Sequence, residues 1–266
     1  MPEHHDDEKR WIELWLTVDA GSEQVWHALA TGAGNSAWFT RCEIEEKIGG
    51  TIRFDFGPAG DSVGEVTEWN PPRRFGYIER DWTGRDDAPP LTTHITVTDR
   101  LDGRCDIAMV HSVVTDRPDW DTELEGFEAG WAGHFAVLRS YLRHFGGRRA
   151  VTYRLSAASP DSPYETWKRF TEVMHLHGVD VGDLRTVGAT SDNINGQVER
   201  VQQDDQHRQV LVRLAEPLPG LVLFDMSTPG GKAMVSLNAF FYGDDAADDA
   251  EVTRTAWQRL LEHTFD

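Results

Sequence analysis

The sequence predicts an α+β fold in two tandem units, each an antiparallel meander closed by a long C-terminal helix. Three observations carry that reading. Period-two patterns separated by tight turns follow one another from Cys42 to Thr115, which is how consecutive antiparallel strands look in a sequence. Over Glu123–Phe145 the apolar residues Leu124, Phe127, Trp131, Phe135, Leu138 and Leu142 recur at three and four, the spacing of an amphipathic helix. The same grammar of extended segment, short helix, strands and tryptophan-centred closing helix starts again after Gly146-Gly147.

In order along the chain, residues 1–9 are polar and acidic and are expected to be a disordered N-terminus. Trp11–Asp19 alternates as a strand, and Gly21-Ser22 breaks it, with Ser22 as the expected N-cap of a helix Glu23–Ala30. The Gly32–Gly34 segment reads as a breaker, with Trp38 and Phe39 on a second helical turn under the sheet. Strands are then expected at Cys42–Ile48, Thr51–Phe56, Val63–Trp69, Phe75–Trp82, Leu91–Asp99 and Arg104–Thr115. Gly126, Gly130 and Gly133 interrupt the closing helix at about 1 kcal/mol each relative to alanine. They are expected either to let the helix approach the sheet closely or to leave open volume beneath it.

Gly146-Gly147 ends that helix and sets the boundary between a unit at 10–147 and a shorter one at 150–266. In the second unit, Val151–Ala157 is extended, Asp161-Ser162-Pro163 starts a helix, and Tyr164–Met174 continues it. His175–Asn195 carries no clear period. Gly196–Val201, Gln209–Leu214, Leu221–Ser227 and Ala233–Tyr242 read as strands, and Val252, Trp257, Leu260 and Leu261 form the stripe of the last helix.

The 266 residues are 39% apolar and 27% charged, a globular composition. A net charge of −19 disfavours general nucleic-acid binding, which needs a basic surface. No stretch approaches eighteen uninterrupted apolar residues, so no membrane span is expected. The first residues lack a basic region followed by an apolar one, so a cytoplasmic location is expected. Cys42 and Cys105 are too few for a structural zinc site, and His4-His5 and His175-x-His177 lack the spacing of paired helix ligands. No metal and no cofactor are expected.

The first half resembles a known family. The carriers are Ser22–Trp26, Trp38-Phe39, Gly49-Gly50-Thr51-Ile52-Arg53-Phe54, the run from Gly64-Glu65-Val66 through Pro71-Pro72-Arg73 to Phe75, and Gly130-Trp131 through Leu138. Together they look like the START-like (SRPBCC) superfamily, closest to homologues of the heat-shock-protein ATPase activator. The resemblance implies a helix-grip fold, in which a curved antiparallel sheet wraps the long helix around an apolar ligand or offers a partner surface. The second half is similar only in outline, Gly196-Gln197-Val198 echoing Gly64-Glu65-Val66, as a divergent repeat.

The candidate cavity lining is aromatic: Trp38, Phe54, Phe56, Trp69, Tyr77 and Trp82 before the long helix, Phe127, Trp131 and Phe135 on it, with Met109 and His111 on the last strand. Such rings either fill a core or line a mostly apolar pocket with a few polar anchors. No nucleophile elbow, phosphate loop or dinucleotide fingerprint follows a strand. The leading expectation is therefore binding of an apolar small molecule or lipid-like ligand without catalysis. Two alternatives stand beside it. One is a chaperone-linked module with a protein partner. The other is an enzyme of the cyclase or dehydratase kind, with Glu79, His94 and His111 as acid–base candidates.

Overall fold

The computed structural model describes the chain except residues 1–3, 7–8, 58–59, 84, 118, 189–193, 204–207, 216–217, 229–230, 244–245 and 266; at 4–6, 119, 121–123 and 125–129 it describes the backbone alone. Two compact units result, Met1–Gly147 and Arg148–Asp266. No described helix is long and apolar enough to cross a membrane.

The first unit runs β1 (His4–Asp6), β2 (Lys9–Val18), α1 (Ser22–Ala30), α2 (Gly32–Asn35), β3 (Arg41–Ile44), β4 (Thr51–Asp55), β5 (Asp61–Asn70), β6 (Arg74–Glu79), β7 (Leu91–Asp99), β8 (Cys105–Val114) and α3 (Asp119–His144). Its strands form one antiparallel sheet in the order β1-β2-β8-β7-β6-β5-β4-β3. Within residues 1–9, His4–Asp6 pairs with Lys9–Trp11, so part of the segment expected to be disordered is a short edge strand.

Alternation decides which face is inside. In β2, Ile12, Leu14, Leu16 and Val18 are buried while Trp15 is exposed, the period of a strand with one face covered. The inner faces of β6, β7 and β8 carry Phe75, Tyr77 and Glu79, then Leu91, Thr93, Ile95 and Val97, then Cys105, Ile107, Met109, His111 and Val113, all buried. The C-terminal half of α3 closes this face with Phe135, Leu138, Tyr141 and Leu142.

Three local expectations change. Gly21, not Ser22, is the N-cap of α1, and Ser22 instead hydrogen-bonds Asp99. Gly32–Asn35 is not a bare breaker but the helix α2. Its Gly34 lies so close to α1 that an added Cβ would sit 1.9 Å from the His27 carbonyl oxygen. Gly130 is exposed, with open space around an added Cβ, so it serves neither close approach to the sheet nor volume beneath the helix.

The second unit comprises β9 (Ala150–Ser159), α4 (Pro163–Val173), β10 (Leu184–Thr186), β11 (Asn195–Gln203), β12 (Arg208–Leu214), β13 (Gly220–Ser227), β14 (Ala233–Tyr242) and α5 (Ala246–Phe265). The order β10-β11-β12-β13-β14-β9 repeats the winding of β2 through β8 with one strand fewer. Ser162 caps α4 by accepting from the Glu165 amide, with Pro163 in the first turn. Trp257 of α5 is fully buried and packs against Phe224 and Phe241 within an apolar core.

Candidate functional site

The inner face of the first sheet is apolar at the α1 end and polar toward the start of α3. Strand register builds the polar part. Tyr77 lies directly opposite Thr93, and Thr93 directly opposite His111, so three polar side chains form a row across β6, β7 and β8. Thr93 Oγ1 and His111 Nδ1 are 2.9 Å apart, and Tyr77 is hydrogen-bonded to Thr93. Two residues along β6, Glu79 accepts a hydrogen bond from the Ser62 hydroxyl of β5. Gly64 is the residue opposite Glu79 and contributes no side chain there. Cys42 of β3 completes the set, close enough for the Glu79 charge to act on its thiol.

Burial dominates the electrostatics, because low dielectric disfavours every charged form. It pushes the Glu79 carboxyl up to about 7, against a downward pull from the Ser62 hydrogen bond. It pushes the His111 imidazole down to about 3, so the ring is neutral at neutral pH. Burial, with the Glu79 charge second, holds the Tyr77 phenol well above its ordinary value. The Cys42 thiol is raised by burial, then by Glu79 and Glu43.

Aromatic rings sit over this row. Trp131 of α3 stacks on His111 at a centroid distance of 5.4 Å and 21°, and on Phe39 at 4.9 Å and 17°. Phe39 also meets Phe54, Phe56 and His134 edge-on. Phe39 is positioned by the turn after α2, which the buried Trp38 indole pins by donating to the Ala28 carbonyl at 2.8 Å. Phe39, Phe56 and His134 are only half-buried, so the stack reaches toward the surface.

Comparison with known proteins places this architecture. Residues 19–143 match the family described as "Activator of Hsp90 ATPase homolog 1-like protein". The match spans most of the first unit. Among solved structures, CalU16 from Micromonospora echinospora is 16% identical, covers 51% of this chain and 78% of its own, and has a TM-score of 0.42. DynU16, a protein in the dynemicin biosynthetic locus, is 18% identical over 97% of both chains, with a TM-score of 0.45. The Aha1 dimer from Colwellia psychrerythraea is 20% identical, covering 50% of this chain and 96% of its own at a TM-score of 0.41. No curated protein matches the chain.

Within the first unit, the residues singled out in the sequence divide. Trp38, Phe54, Tyr77, Met109, His111, Trp131 and Phe135 are buried, with Phe56 at the outer end of the stack. Trp69 is on the inner face, because a bulge between Val66 and Glu68 sets it opposite Phe75, but it lies beside α1, edge-on to Trp26 and Phe75. Trp82 falls beyond the end of β6; its indole donates to the Pro89 carbonyl, and its ring packs on Trp120. The Phe127 side chain lies outside the described residues. His94 faces out, half-exposed beside Glu68, because it is one residue out of phase with Thr93.

Ser62, Thr93, Cys42 and His134 were missed. Strand parity would have found Thr93, which sits between inward-facing Leu91 and Ile95. Among the described residues no cluster of three or more His, Cys, Asp or Glu is placed to hold a metal. The surface groove lined by Arg41, Glu43, Arg53 and Asp55 is on the outer face of β3 and β4, where Arg53 is paired with Asp61.

Proposed function

We propose that the first unit binds a flat, mostly apolar small molecule between the inner face of its sheet and α3, with a polar group of the ligand against Tyr77, Thr93 and His111. One observation carries the reading: a hydrogen-bonded polar row, buried, on a sheet face that is otherwise aliphatic and aromatic. Packing alone favours apolar residues there, since a buried polar group left unpaired costs about 1–3 kcal/mol. Ligand pockets combine apolar walls with a few fixed polar groups, and the half-buried Phe39 at the end of the stack on Trp131 supplies a flat surface that matches an aromatic ring. The test is native mass spectrometry of freshly purified protein, together with titration of an environment-sensitive apolar dye. Added mass or micromolar dye binding is expected, weakened about tenfold in Thr93→Val. A wild-type protein that carries nothing and binds no dye removes the proposal.

A second reading, docking to a chaperone, is favoured by Trp15. Its indole is 57% exposed on the outer face of β2, and the family description names an ATPase activator. Stimulation of an Hsp90 ATPase, lost in Trp15→Ala, is the expected outcome; no stimulation by the wild type ends that reading.

A further inference from the structure

We infer that the first unit also moves a proton on its ligand, with Glu79 as the base and Tyr77 as the hydrogen-bond donor of an enolising site for an apolar ketone. The inference rests on the ligand-binding reading above and adds a reaction to it.

Among the described residues, Glu79 is the only acidic side chain that is buried, at 6% exposure. No cation forms an ion pair with it among those residues; its recorded partner is the Ser62 hydroxyl on Oε1. A carboxyl that serves only structure is normally given a counter-charge when buried. One held by a single neutral hydroxyl keeps Oε2 for another group.

Tyr77 and Glu79 share one face of β6 at a separation of two residues, so their side chains leave the backbone about 6–7 Å apart. With a reach of about 3 Å from each end, the gap fits a carbonyl oxygen at Tyr77 and its α-carbon at Glu79. Tyr77 is held as a donor: it is tied to Thr93, which is tied to His111, and the neutral imidazole brings no competing charge. The half-buried Phe39, at the end of the stack on Trp131, supplies the flat wall along which an apolar ring would lie.

The step is balanced within the site. The ionised Glu79 carboxylate takes a proton from the α-carbon, and the C–H pair becomes the C=C bond of the enolate. The carbonyl π pair moves onto oxygen, where the Tyr77 hydroxyl stabilises it. Delivery of the Glu79 proton to the next carbon along the conjugated system gives isomerisation, and return of a deuteron to the same carbon, after the carboxyl proton has exchanged with solvent, gives exchange; either restores the carboxylate. No oxidant or reductant is consumed.

The test uses the full chain and 2-tetralone, a flat apolar ketone with acidic α-protons. Deuterium uptake in D2O is followed by NMR and binding by quenching of tryptophan emission. The expected result is exchange at least 100-fold above buffer, reduced to the buffer rate in Glu79→Gln and at least tenfold in Tyr77→Phe, with quenching preserved in both. Should Glu79→Gln fail to fold, Glu79→Asp, which retracts the carboxylate by one methylene, is expected to lose at least tenfold. Quenching without exchange in the wild type overturns the proton transfer and leaves binding standing, as does an unchanged rate in Glu79→Gln or Glu79→Asp. Absence of quenching in the wild type overturns both.

Discussion

The Ser62 hydroxyl donates a 2.5 Å hydrogen bond to Glu79, and both residues are buried on the inner face of the first sheet. This pair makes stability depend on pH. The folded state holds Glu79 protonated up to about 7, against an ordinary value of 4.5. Between those values the unfolded chain has released the proton and the folded chain has not. Stability from this group is therefore complete below 4.5 and is lost as pH rises through 7. Cys42 and Tyr77, the titratable groups that act on or face Glu79, are both raised and stay neutral in this window. Glu79→Gln should match the wild type near pH 4 and exceed it at pH 8 by about 3 kcal/mol, the worth of a shift of this size. Urea unfolding at both pH values checks this; an equal offset at each refutes it.

His111 has the opposite sign. Burial lowers its folded value to about 3 from 6.5, so the unfolded chain takes up a proton first as pH falls. The stability of the neutral ring is complete above 6.5 and lost as pH drops through 3. From 4.5 to 6.5 the slopes of His111 and Glu79 cancel. His111→Phe, which keeps the ring against Trp131 and gives up the Thr93 bond, should flatten the acid limb. Its midpoint in acid titration, followed by circular dichroism, should move to lower pH than that of the wild type.

The meander and the closing helices were legible because burial on one side of a strand or helix writes a period into the sequence. The inward aromatics Phe54, Tyr77, Trp131 and Phe135 followed from the same periods. What could not be read depends on register and on ends. His94 and Thr93 are neighbours with opposite fates, and only the phase of β7 separates them. Trp69 faces inward only through a bulge that no turn residue announces, and it does so at the Phe75 end of β6, beside α1. Trp82 left it because β6 stops at Glu79, three residues before the strand pattern does. The pairing of Ser62 with Glu79 joins two strands, and a single-strand pattern carries no such information.

Gly34 shows how a residue read as a breaker can place the site. An alanine methyl there would meet the His27 carbonyl oxygen and the Ala28 backbone, atoms of α1 that cannot move aside cheaply. Gly34→Ala should push α2 off α1 and carry with it Trp38 and Phe39. A loss of about 1–3 kcal/mol is expected from overpacking of this kind, together with a change in tryptophan emission as the Phe39–Trp131 stack opens. Ala33→Ser, at an exposed position in the same short helix, is the control and should leave both readouts unchanged.

In the second unit, Gly188 combines two demands that can be measured apart. Its φ is +66°, a region that side chains with a Cβ enter at about 1–2 kcal/mol. An added Cβ would also stand 2.5 Å from Trp257 Nε1, inside a core where Trp257 is fully buried. Gly188→Ala should therefore cost both the backbone term and an overpacking term of about 1–3 kcal/mol. Trp257→Phe removes the indole nitrogen and the contact, while leaving the backbone demand in place. A double-mutant cycle separates them, since only the overpacking part is shared between the two sites. The double variant should be more stable than the sum of the single losses predicts, by about the overpacking term. Strict additivity would mean that the backbone conformation alone requires glycine at 188 and that Trp257 packs without regard to it.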